Sequence, residues 1–112
     1  CLNLMGDGAF GMSGLDLETS VRSNLPITTV LLNNGGMATY PGGFPNAREK
    51  FGVSYMKGDY AQIAEGMGAK GIVVKSIQEL RSSIKDAIYE NKNGNTVLID
   101  VHTGYDDKRS KW

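Results

Sequence analysis

The sequence predicts one α/β domain on a doubly wound, mostly parallel sheet of about four strands, with helices on both faces. Three observations carry this expectation. Short apolar runs alternate with helical segments along the chain, the pattern of successive βαβ units. The run Ile27-Thr28-Thr29-Val30-Leu31-Leu32 is apolar or β-branched throughout, as in a strand covered on both faces. Two polar signals, Gly6-Asp7-Gly8 and Asn33-Asn34-Gly35-Gly36, each follow an apolar run, with 24 residues (9–32) between them. That interval fits one βαβ unit, which brings both strand ends to the same edge of a parallel sheet, where such folds bind ligands.

Each element has a local reason. Residues 2–5 read as a short buried strand ending at Gly6. A helix is expected over 13–24, with Met12, Leu15 and Thr19 on one face and Arg22 continuing the row. Ser13 is its expected N-cap, and Asp16, shorter than the usual Glu, completes an imperfect capping box. Pro26 ends this helix by disfavouring helical geometry at Leu25. Strand 27–32 follows, then an irregular stretch over 38–58 holding Pro41, Gly42, Gly43 and Pro45. A loop of roughly 20 residues in a small domain is more often functional or ordered by a partner than idle. Asp59 caps a helix over 60–67, with Ile63, Ala64 and Met67 inward and Gly68 closing it. Residues 71–75 form a strand. Ser76 and Glu79 then open an amphipathic helix to residue 91, with Ile77, Leu80, Ile84, Ala87 and Ile88 on one side. Asn93-Gly94-Asn95 is a turn and 96–101 the last strand. The domain is expected to span 1–105, followed by a charged, solvated tail over 106–112.

Composition excludes several classes. A chain of 112 residues, 40% hydrophobic and 21% charged, suits one globular domain. Twelve basic and twelve acidic side chains cancel, so no charge excess argues for nucleic acid or an anionic membrane. No apolar stretch approaches the ~20 residues of a membrane span, and no secretory signal is visible. A single cysteine, Cys1, rules out an internal disulfide framework and fits a reducing, cytoplasmic setting. The chain opens inside a strand without an initiator methionine, so a piece of a longer protein is expected.

At the two strand ends, a carboxylate and a carboxamide would meet among glycine-freed backbone. This is the chemistry needed to hold a hard divalent cation and a diphosphate together. Either signal alone is a common turn; their joint placement is more specific. Together they resemble the cofactor motif of thiamine-diphosphate-dependent enzymes, and Leu2-Asn3-Leu4-Met5 resembles the approach to it. Gly6-Asp7-Gly8-Ala9-Phe10-Gly11-Met12, Glu18-Thr19-Ser20-Val21-Arg22-Ser23-Asn24-Leu25-Pro26 and Asn33-Asn34-Gly35-Gly36-Met37 are similar to the acetolactate synthase branch. That branch also holds relatives resembling oxalyl-CoA decarboxylase, 2-hydroxyacyl-CoA lyase and benzaldehyde lyase. Asp59-Tyr60-Ala61-Gln62-Ile63-Ala64 and Met67-Gly68-Ala69 extend the similarity over nearly the whole chain. Acetolactate synthases usually carry acidic residues just after the Asn pair. Gly35-Gly36 departs from this and favours a related lyase or decarboxylase.

The resemblance implies a flavodoxin-like cofactor-binding fold with Mg²⁺ held by the Asp7 carboxylate, the Asn34 side-chain oxygen and the Gly36 carbonyl. It implies that Gly6 opens the motif and that Gly8 and Ala9 offer N–H groups to the diphosphate, with a further one from Met37. In the family the cofactor's ylid attacks a 2-keto acid or acyl donor. A glutamate on a separate pyrimidine-binding domain, normally from a partner subunit, activates the cofactor's aminopyrimidine. No segment here resembles that domain. No catalytic residue is therefore assigned, and the chain alone is expected to lack turnover. In the full enzyme the implied substrate is a 2-keto acid or acyl-CoA, and the implied assembly a homo-oligomer. The alternative is a non-catalytic flavodoxin-like module binding another phosphate ligand or a protein.

The remaining candidates have plainer readings. Asn33 is expected to hold the turn through side-chain-to-backbone bonds, and Met12 and Met37 to pack. His102, the single histidine, is expected to be a surface or partly satisfied side chain, and Cys1 carries no catalytic signature. For Tyr40, Phe44 and Phe51 the sequence leaves open a substrate channel lining, packing or disorder, and Arg48-Glu49-Lys50 is expected to be solvated.

Overall fold

The two most apolar runs take the middle of the sheet. In a computed structural model that describes residues 1–37 and 44–104, β2 (Thr28–Asn33) pairs with β4 (Val97–His102). The edges are β1 (Leu2–Gly6) beside β2 and β3 (Lys70–Val74) beside β4, all parallel, in the order β1-β2-β4-β3. Gly6 lies opposite Leu32 and Asn33 opposite His102, so three strands end at one edge.

Crossover handedness fixes the layers. The chain steps from β1 to β2, then past β4 to β3, in one direction. Right-handed crossovers therefore place α1 (Asp7–Ser13), α2 (Asp16–Arg22) and α4 (Tyr60–Gly66) on one face. The return from β3 to β4 reverses direction and sends α5 (Ile77–Lys92) to the other. The core splits accordingly. Phe10, Leu17, Leu31, Tyr60, Ala64 and Leu98 pack on the first face. Val30, Val74, Ala87, Val97, Ile99 and Val101 pack under α5. Leu31, Leu98 and Ile99 are fully buried, each worth about 1.5–3 kcal/mol of removed apolar surface.

Several helices differ from expectation. Only the shorter α2 lies within the helix expected over 13–24; α1, which was not expected, precedes it, and Ser13 ends α1 rather than capping α2, its hydroxyl donating back to the Ala9 carbonyl. The break is at Gly14, which lies against the Phe10 ring and backbone where a Cβ would not fit. Splitting resets the helical phase. Met12, Leu15 and Thr19 face solvent, while Phe10, Leu17 and Ser20 face the core, Ser20 sharing a 2.6 Å hydrogen bond with Thr96. Met12 is thus not a packing residue.

The stretch expected to be irregular over 38–58 contains α3 (Pro45–Phe51), whose proline suits a first helical turn. It also contains an antiparallel bridge from Tyr55 to Gly36. Glu49 and Lys50 are exposed there and Arg48 is half-buried; Phe44 and Phe51 are exposed. Tyr40 with Pro41, Gly42 and Gly43, and the tail over 106–112, lie outside the described residues.

Both later caps form as expected. Asp59 accepts from the Gln62 N–H and Ser76 from the Glu79 N–H. The Glu79 carboxylate reaches back to the Lys75 N–H at 2.8 Å, and that bond foremost holds its pKa below the usual carboxylate range. Ile63, Ile77 and Ile88, expected inward, are exposed; Tyr60 and Ala61 on α4 and Ser83 on α5 are buried instead. α5 packs over β4, β3 and β2 and leaves much of β1 open on that face. Leu2 and Leu4, each 65% exposed, therefore stand bare on that face. An apolar cavity of about 410 Å³ runs from Leu2 and Pro26 to Ile84 and Ile88. No helix among the described residues is long and apolar enough to cross a membrane.

Helix α4 comes close to β3 at Gly71, where a Cβ would collide with the Ala61 backbone. We predict that Gly71→Ala lowers unfolding free energy by about 1–3 kcal/mol through forced separation of β3 and α4. Gly66→Ala, on an open helical position, should raise it by up to about 1 kcal/mol. Urea denaturation of both variants checks the pair.

Candidate functional site

The site grows from where β1 and β2 stop. Gly6 leaves β1 in extended geometry and caps α1 without a side chain, so Asp7 enters the first helical turn directly beyond the sheet. Its carboxylate is 3% exposed. One oxygen accepts from the Gly8 N–H at 2.9 Å, and the other from the Gly35 N–H, also at 2.9 Å. The second bond joins the two sequence signals directly. Gly35 reaches it through a left-handed backbone, φ 67°, which glycine adopts without steric cost.

Two further turns shape the Asn-Asn-Gly-Gly segment. The Asn33 side-chain oxygen accepts from the same Gly35 N–H at 3.2 Å, and the Asn34 side-chain oxygen accepts from the Gly36 N–H at 2.9 Å. The bridge to Tyr55 clamps the segment from outside. Met56 N–H donates to the Gly35 carbonyl at 3.0 Å, and Met37 N–H to the Ser54 carbonyl at 2.8 Å. These bonds flank Gly36 and leave its carbonyl unused by the bridge.

The two signals thus meet through the bond between Asp7 and Gly35, with two adjustments to the expected roles. Met37 N–H is committed to Ser54, so the N–H that the resemblance lent to the diphosphate is engaged within the fold. Met37 instead brings its half-exposed side chain over Gly8, beside Met56. Gly8 N–H is likewise turned onto Asp7. Ala9 sits in the first turn of α1, where N–H groups have no intrahelical acceptor.

A burial so complete is costly for a lone carboxylate. Among the described residues no cationic side chain pairs with Asp7. Its two N–H bonds occupy only part of the roughly four acceptor positions of a carboxylate. No three His, Cys, Asp or Glu side chains cluster as a metal site among the described residues. The available donors are instead one carboxylate, one amide oxygen and one backbone carbonyl. An all-oxygen set of this kind suits a hard divalent cation whose other positions are filled by phosphate and water. The residues present therefore fit the magnesium-diphosphate group.

Around this centre lie groups that motif reading missed. Tyr60 packs edge-on against Phe10, ring centroids 5.5 Å apart. Burial, and then the carboxylates of Asp7 and Asp100, push its phenol above the usual range, so it remains a neutral donor. Asp100 in β4 is buried and accepts from the Asn33 amide at 3.0 Å, and its other oxygen lies 3.4 Å from His102 Nε2. His102 is half-exposed and partly satisfied, as expected. A single charge inside the run Val97-Leu98-Ile99-Asp100-Val101 was the available signal for Asp100.

Known proteins match the chain along nearly its whole length. Residues 1–101 match the family model described as "Thiamine pyrophosphate enzyme, C-terminal TPP binding domain". The chain is 35% identical over 100 residues to a sulfoacetaldehyde acetyltransferase of Alcaligenes xylosoxydans, covering 86% of this chain and 16% of that protein. It is 30% identical over 114 aligned positions to a 2-hydroxyacyl-CoA lyase of Arabidopsis thaliana, covering 93% of this chain and 20% of that one. A thiamine diphosphate-dependent 4-hydroxybenzoylformate decarboxylase of Rhodococcus jostii RHA1 superposes with a TM-score of 0.79 at 26% identity, over 96% of this chain and 20% of that chain. The chain therefore spans about a fifth or less of the length of these relatives. These matches lend no support to the alternative of a non-catalytic flavodoxin-like module. With its parallel sheet, its paired strand-end motifs and this match, the chain belongs to the thiamine pyrophosphate enzymes, and what it carries is their C-terminal cofactor-binding domain.

Proposed function

We propose that this domain anchors thiamine diphosphate through Mg²⁺ held by the Asp7 carboxylate, the Asn34 side-chain oxygen and the Gly36 carbonyl. The observation that supports it is the buried Asp7, uncompensated by any cation among the described residues and bonded to backbone from both motifs. Gly6, Gly8 and Ala9 give the diphosphate a side-chain-poor approach to backbone, and Met37 flanks it. When bound, the cofactor supplies the carbanion-stabilising thiazolium chemistry of its class.

The chain's own residues bind and orient. Asp7 would give the cation a carboxylate ligand, and the cation would in turn offset the charge of the diphosphate beside it. Gly35 and Gly36 keep backbone close to the ligand, and the bridge to residues 54–56 holds them there. None of these groups moves a proton. In the full enzyme the substrate would be a 2-keto acid or acyl-CoA, in lyase or transferase chemistry, and a pyrimidine-binding domain of a partner subunit would complete the site.

Calorimetry on the chain tests this reading. Thiamine diphosphate should bind only with Mg²⁺, and Asp7→Ala should weaken binding at least tenfold while the variant folds. No CO₂ should be released from a 2-keto acid by the chain alone. Binding equally tight in EDTA, or unaffected by Asp7→Ala, would contradict the assignment.

We further propose that copies of the chain associate through the bare β1 edge and the exposed Leu2 and Leu4. Sedimentation should show a concentration-dependent shift beyond the monomer, reduced by Leu4→Lys. A strictly monomeric profile at high concentration would refute this.

A further inference from the structure

We propose that Asp100 is a positioning residue for the cofactor loop, acting through the Asn33 side chain on the Gly35 N–H that Asp7 also holds. The inference rests on the functional reading above, and it assigns a role to a residue outside both motifs.

The chain of contacts is continuous. Asp100 Oδ1 accepts from Asn33 Nδ2 at 3.0 Å; Asn33 Oδ1 accepts from Gly35 N–H at 3.2 Å; Gly35 N–H also donates to Asp7 Oδ2 at 2.9 Å. An amide can present either end to a neighbour, and the turn works only with its oxygen toward Gly35. A carboxylate offers no donor, so Asp100 accepts only the nitrogen end of Asn33. That selects the orientation in which the Asn33 oxygen meets Gly35.

Asp100 is itself held. It is 1% exposed, in a strand flanked by β2 and β3, and His102 Nε2 lies 3.4 Å from its second oxygen. Asn33 is fixed from the backbone side as well, its carbonyl accepting from Thr103 N–H at 2.8 Å. A rigid central strand thus sets the turn that carries Asn34 and Gly36. A buried charge in so apolar a strand is costly for the fold alone, which suits a residue kept for placement. Outer groups that orient metal-binding residues typically contribute 10–100-fold in metal affinity.

Two measurements on the full 112-residue chain test this, using MgCl₂ and thiamine diphosphate as probes. Amide hydrogen exchange in the absence of cofactor should show Gly35 protected in the parent and about tenfold less protected in Asp100→Ala, with Ile99 little changed. Asn33→Asp, which sets two carboxylates face to face, should also lose Gly35 protection, and adding Asp100→Asn should restore it. In cofactor titrations, Asp100→Ala should raise half-saturating Mg²⁺ by about tenfold. The proposal is overturned if Gly35 stays protected in Asp100→Ala, or if the double variant is no better protected than Asn33→Asp. Failure of the parent chain to bind Mg²⁺ and cofactor would contradict the functional reading, while the cofactor-free exchange data still decide the relay.

Discussion

Everything at the site depends on one carboxylate placed where two parallel strands end. Asp7 is buried and held by backbone N–H groups from its own turn and from Gly35. Such a group is unfavourable unless charge of opposite sign arrives. The fold tolerates it because the β1–β2 pairing, the left-handed Gly35 and the bridge to residues 54–56 fix its surroundings independently of any ligand. Binding free energy is then not spent on ordering the loop.

The topology explains why this place exists. Parallel register brings Gly6, Asn33 and His102 to one edge, so residues far apart in sequence share a layer beyond the sheet. The same topology leaves a cost on the opposite face. With α5 as the single described helix there, β1 is left largely open among the described residues, and Leu2, Leu4, Ile77 and Ile88 are exposed.

The strands and both motifs were legible because they are local. Apolar runs bounded by turn residues locate β1 to β4 within a residue or so, and Asp59 and Ser76 mark their helix starts. What escaped depends on contacts between distant segments. α1 contains Gly8 and Gly11 and looks unlike a helix; its strand-end position and the packing of Phe10 override that propensity. The phase of α2 was lost with the unrecognised break at Gly14. Ile63, Ile77 and Ile88 follow a helical stripe faithfully, yet the stripe is wider than the surface available to cover it. The use of Met37 N–H by Ser54 and of Asn33 by Asp100 required the folded backbone, although a charge inside an apolar strand already marked Asp100.

The central claim is that Asp7, Asn34 and Gly36 hold one divalent cation against the cofactor's diphosphate. Paramagnetic broadening by Mn²⁺ in place of Mg²⁺, followed residue by residue in the NMR spectrum, addresses it directly. With thiamine diphosphate present, broadening should centre on these three residues and on Gly8 and Gly35, and should weaken sharply when the cofactor is omitted. Broadening centred elsewhere, such as around Asp59 and His102, or unchanged without cofactor, would contradict the account.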